Sequence, residues 1–199
     1  MGKKKTKNKE NVVKKFSKIC LAALLSGGIA YAANNSYIGF GGMIGNGTQS
    51  VTYNGDTDSA NYNMSGMGFK FGVITKSKNR VEFSLNQLDG HNENGSDTYT
   101  GFEMNYLITF MNEHSFNPYV GLGVGYYVSK NMIGTDVDTG KEEHAKSVSL
   151  GCSVGLIYNL TDKIEIESAL QYRHLSWNFV NYDVTDDIKN LYVGANYKF

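Results

Sequence analysis

The 199-residue chain carries 19 basic and 19 acidic residues, but residues 1–32 take eight lysines against Glu10 alone, leaving 11 basic and 18 acidic groups beyond them. That acidic remainder offers no basic patch to neutralise phosphates, which excludes nucleic acid as a partner. With Cys20 inside the lysine-rich leader, Cys152 stands alone and no intramolecular disulfide framework follows. Twenty-three Gly and 14 Tyr against one Pro favour sheet and turn over helix.

The lysines of residues 1–18 precede an apolar stretch over 19–29 and then Ala30-Tyr31-Ala32, a small-x-small site. This layout predicts a secretory signal peptide over 1–32, removed to leave a single mature domain over 33–199. The apolar stretch, broken by Gly27 and Gly28, is too short for a membrane-spanning helix, which needs about 20 residues.

Beyond the leader, apolar and small or polar residues alternate at period two through eight segments, the signature of strands. They cover 37–44, 65–74, 80–88, 98–110, 119–129, 147–160, 164–177 and 191–199. In the second, Met67, Phe69, Phe71 and Val73 oppose Gly66, Gly68, Lys70 and Gly72. In the fifth, Val120, Leu122, Val124, Tyr126 and Val128 oppose Gly121, Gly123 and Gly125. In the last, Leu191, Val193, Ala195, Tyr197 and Phe199 oppose Tyr192, Gly194, Asn196 and Lys198.

The predicted connections alternate. Longer loops over 46–63, 89–97, 130–146 and 178–187 take turns with short ones over 75–79, 111–117 and 161–163. The longer set holds 12 acids against Lys130, Lys141 and Lys146; the short turns and their flanks hold Lys76, Lys78, Arg80 and Lys163 against Glu113 and Asp162. Even strand count, long loops at one end and short turns at the other describe a bacterial outer-membrane barrel with external loops and periplasmic termini. A soluble sandwich would have to expose its glycine-rich faces, where glycine weakens a strand and packs nothing. A narrow closed barrel wants small residues inside. The expected fold is therefore all-β: an eight-stranded antiparallel up-and-down transmembrane β-barrel.

Asn117-Pro118-Tyr119-Val120-Gly121-Leu122-Gly123-Val124-Gly125-Tyr126-Tyr127, Gln171-Tyr172-Arg173-His174 and the terminal Gly194…Phe199 resemble the small outer-membrane barrel families related to the OmpA transmembrane domain and the opacity-type surface proteins. The resemblance covers the mature chain and implies an integral outer-membrane protein with a structural or adhesin-like role. The implied partners are outer-membrane lipid and lipopolysaccharide, the barrel-assembly machinery, and a host or surface ligand met through the loops. The spacing of Gly194, Tyr197 and Phe199 resembles the C-terminal signal that this machinery recognises. Unlike full-length OmpA, the chain is expected to lack a peptidoglycan-binding domain.

Six charged residues fall on the inward parity: Lys70, Glu82, Glu103, Glu165, Glu167 and Arg173. Buried charges persist when paired, and an eight-stranded interior is filled by side chains. These six are expected to form a structural polar network with no open pore; a narrow gated ion path is the alternative. Asp136-Val137-Asp138-Thr139-Gly140 lacks the ordered ligands of a calcium loop, and His91, His114 and His144 form no constellation, so no metal or cofactor is expected. Cys152 is expected to face lipid. His174 and Ser176 share the outward face of the seventh strand with Asp183, Asp186 and Asp187 downstream, the composition of an acyl hydrolase. The pair resembles the His-x-Ser of the lipid A deacylase family, although Trp177-Asn178-Phe179 stands where that family has an Asn and small residues. The competing expectation places His174 and Trp177 in an interfacial aromatic belt and makes the protein no enzyme.

Overall fold

The computed structural model describes residues 35–93, 95–110, 115–135, 142–177, 179 and 183–199. The expected leader, His114 and the acidic run 136–140 lie outside them. The described residues form eight strands: β1 (Ser36–Tyr53), β2 (Asp56–Ile74), β3 (Arg80–Asn92), β4 (Gly95–Thr109), β5 (Phe116–Thr135), β6 (Glu142–Asn159), β7 (Ile164–Trp177) and β8 (Asp183–Lys198). Each pairs antiparallel with the next, and β8 pairs back with β1 to close the barrel. The fold is the eight-stranded up-and-down barrel that the alternation predicts.

Following the pairs from Asn46 through Lys189, Tyr172, Cys152, Leu122, Tyr106, Val81 and Val73 returns to β1 at Ser36, ten residues lower. That stagger tilts the strands by about 40° from the barrel axis.

The faces are inverted relative to a soluble protein. Leu122 (70%), Leu85 and Ile44 (64% each) are among the most exposed side chains, and Phe40, Phe102, Val193, Tyr197 and Phe199 join them in an outward apolar belt. Lys70, Glu82, Glu103, Glu165, Glu167 and Arg173 are all buried. Cys152 faces outward.

The inward glycines have a packing reason. Tyrosine rings lie flat across neighbouring strands, Tyr37 over Gly72, Tyr119 over Gly155 and Tyr127 over Gly101, so close that a Cβ at any of these positions would collide with the ring.

The loop predictions over 46–63 and 89–97, and over the described parts of 130–146 and 178–187, are overturned; β5 runs on to Thr135 and β6 begins at Glu142. β1 and β2 continue as a paired hairpin from Gly45↔Met64 to Tyr53↔Asp56, β3 and β4 pair out to Asn92↔Gly95, and β8 begins at Asp183. Toward the hairpin tip both faces meet water, so no apolar period marks the strand. Cross-strand hydroxyl and amide pairs replace it: Thr48 Oγ1 donates to Asn61 Oδ1 (2.8 Å), and Ser50–Ser59 and Thr52–Thr57 oxygens lie 2.9 Å apart. Asn54 and Gly55 turn the hairpin with φ of 52° and 92°, the two left-handed positions of a type I′ turn.

Candidate functional site

Charged inward positions on β2, β3, β4 and β7 converge because strand alternation aims them all at one narrow axis. At the short-turn end, Arg80 grips Glu165 with two parallel bonds, Nη1 to Oε2 at 2.7 Å and Nη2 to Oε1 at 2.9 Å. Lys198 Nζ adds a contact to Glu165 at 3.2 Å. Midway, Lys70 bridges Glu82, at 3.1 Å, and Glu167. Tyr37 donates to Glu82, Tyr119 donates to Glu167 at 2.8 Å, and Asn196 donates to Glu167 at 3.0 Å. Higher, Arg173 donates from Nε and Nη2 to Glu103 at 2.7 and 3.1 Å and from Nη1 to Asn190 at 2.7 Å. Asn86 Nδ2 donates to Glu103 Oε2 at 3.1 Å, the oxygen that also accepts from Arg173 Nη2.

A fourth level caps the interior. The carboxylate of Asp186, fully buried, accepts from Trp177 Nε1, from Tyr62 OH at 3.1 Å and from Gln49 Nε2 at 3.3 Å; the Tyr99 ring lies 5.3 Å from that of Trp177. Asp186 stands above the apolar belt, whose last outward members on β8 are Leu191 and Val193. Burial pushes its carboxyl above the ordinary value against those three hydrogen bonds.

This level corrects two expectations. Trp177 is an interior residue, not part of an interfacial belt, and Asp186 is not a loop acid. Parity carried the signal for the first, since Trp177 shares the face of Arg173. The loop expected over 178–187 hides Asp186, and Arg80 falls at the flank of the expected short turn over 75–79.

On the outer surface, the structure brings His174 and Asp187 together, Nδ1 2.9 Å from Oδ1, across a β7–β8 pair. Tyr172 OH donates to the same carboxylate oxygen. These two bonds, the tyrosine's first, hold Asp187 below the usual carboxylate range. Ser176 lies two residues along the same face, exposed, with no hydrogen bond to His174 among the described residues. His91 and His144 sit on β3 and β6, and no group of three metal-ligating side chains occurs among the described residues. Gly194 faces inward against Tyr192; Tyr197 and Phe199 face outward, ring centroids 5.6 Å apart.

A closed barrel with an apolar outside and an ion-paired inside defines an integral outer-membrane β-barrel protein. Residues 20–199 match the family described as outer membrane protein beta-barrel domain, and the chain belongs to it. It is a protein of the bacterial outer membrane. Among solved structures, Neisserial surface protein A is similar at 15% identity and a TM-score of 0.53, over 82% of this chain and 97% of that one. The outer membrane protein AlkL, solved in lipid bilayers, is similar at 16% identity and a TM-score of 0.52, over 87% and 94%. At these identities the likeness is one of fold. No curated protein sequence matches the chain.

Proposed function

We propose that this is a non-enzymatic barrel that works through the surface it displays above the bilayer, in an adhesin-like or envelope-structural role, and not through its lumen. One observation carries the reading: the interior is filled at four successive levels by side chains bonded to one another, from Arg80–Glu165 to Asp186–Trp177. Such packing leaves no aqueous path for a solute, and the six inward charges serve as an internal scaffold. On this reading residues 1–32 direct export, and Gly194, Tyr197 and Phe199 engage the assembly machinery.

The test has two arms. In planar bilayers the folded protein is expected to give no pore-sized conductance steps. On cells, replacing residues 48–61 by a short turn is expected to lower adherence to host cells while the barrel remains in the outer membrane. Stable open-pore currents, or adherence unchanged by that deletion, overturn the surface-binding reading.

The His174–Asp187 contact favours a second reading, an acyl hydrolase acting on lipid A at the bilayer rim. Against it stands Ser176, which His174 does not engage. Lipid A mass spectrometry decides: loss of an acyl chain in cells expressing the protein, absent with Ser176→Ala, establishes the hydrolase, and an unchanged profile ends it.

A further inference from the structure

Just above the apolar belt the outer surface is concave. β2 and β3 pair only as far as Asn63↔His91, while β1 and β2 run on together to Tyr53↔Asp56. The hairpin therefore parts from β3, and across its outer face, from β8 to β3, lies a cleft of about 860 Å3, lined in part by Asn46, Thr48, Asn61, Asn63, His91 and Lys189. Asn46 lies two residues beyond Ile44, an outward member of the belt on β1, so the cleft opens at the height of the outer-leaflet headgroups. At about 40° tilt the step from Ile44 to Asn46 is roughly 5 Å along the barrel axis.

We infer that this cleft binds a saccharide of the glycolipid headgroup in the protein's own outer leaflet. The chemistry is that of carboxamides. Asn46 and Asn63 oppose each other across the strand pair, and their side-chain carboxamides make no hydrogen bond to another described residue. Asn61 accepts from Thr48 through Oδ1, leaving its Nδ2 to donate. Each free carboxamide presents two donors and an acceptor on one plane, a match for adjacent ring hydroxyls, which are themselves donor and acceptor. Other ligands fit less well. Lys189 is offset by Asp187, and His91 stands near Glu93, so there is no cation cluster for a phosphate. No large exposed aromatic or Arg lines the cleft to supply a protein hot spot. The height selects the source, because a headgroup sugar is already there. The inference does not depend on adhesion to another cell.

The experiment compares hydrogen exchange of the full barrel in nanodiscs of phosphatidylcholine alone with nanodiscs that also contain lipopolysaccharide. Amides of residues 46–48 and 61–63 are expected to exchange at least ten-fold more slowly with the glycolipid present. Thr98 and Thr100 on β4, at a similar height, report unspecific contact and are expected to change little. The double variant Asn46→Ala, Asn63→Ala, checked for heat-modifiable migration as a folded barrel, is expected to lose the protection. Equal protection on β4, or protection that survives the double variant, overturns the inference. So does binding of added soluble glycans to the cleft without any effect of lipopolysaccharide, which would place the source outside the membrane.

Discussion

Replacing Lys70 by methionine is expected to cost the barrel about 3–5 kcal/mol, the range for removing one partner of a buried ionic cluster. The ammonium bridges two carboxylates, Glu82 and Glu167, each buried on strands that reach the axis from opposite sides. Without it, two negative charges face each other, held by hydrogen bonds from Tyr37, Tyr119 and Asn196. Equilibrium urea unfolding in lipid vesicles measures the loss. Adding Glu82→Gln and Glu167→Gln to Lys70→Met removes the stranded charge and is expected to recover most of it. A single variant within 1 kcal/mol of the parent would mean that water reaches this level and the interior is not sealed.

The second large effect is expected from Gly72→Val. A Cβ at this position would collide with Tyr37 Cζ and its hydroxyl oxygen, and the ring has no room to swing: Tyr37 is fully buried and the Arg80 guanidinium sits 4.9 Å from its centroid. Overpacking costs about 1–3 kcal/mol, and displacing the hydroxyl breaks its bond to the Glu82 carboxylate, worth about 1.5–3 kcal/mol. A folded fraction on gels well below that of the parent checks this. The same change at Gly42, where the nearest atom to a built Cβ is the Gly66 carbonyl oxygen at 3.9 Å, is expected to be mild. Equal behaviour of the two variants would remove close ring approach as the reason for the inward glycines.

The contrast between Gly72 and Gly42 bears on what the sequence could reveal. Within the membrane, lipid outside and packed side chains inside impose opposite demands on alternate residues, so the period of two is sharp. Lys70, Glu82, Glu103, Glu165, Glu167 and Arg173 could be placed on the inner face by counting alone. Which of them meet could not, because the partners lie far apart in the chain and the stagger of ten residues decides who faces whom. Lys70 reaches Glu167, 97 residues away, for that reason. Toward the hairpin tip the two faces stop differing, and residues 46–63 read as loop although they form a regular hairpin. The one local signal there was Asn54-Gly55, the strongest two-residue hairpin mark a sequence offers. The cleft beside that hairpin had no sequence signature, since it arises where one strand pair ends and its neighbour continues.

The seam between β1 and β8 has a kinetic meaning. Tyr37 pairs with Lys198 and Thr52 with Asp183, so the first strand to be made hydrogen-bonds the last. Until the whole chain has been delivered, the sheet has two bare margins, each a row of unsatisfied amides and carbonyls able to template pairing with another molecule. Closure over so long a span of sequence is slow compared with forming the seven hairpins between successive strands. The half-made sheet is therefore the vulnerable species, and its survival depends on whatever shields those margins until they find each other.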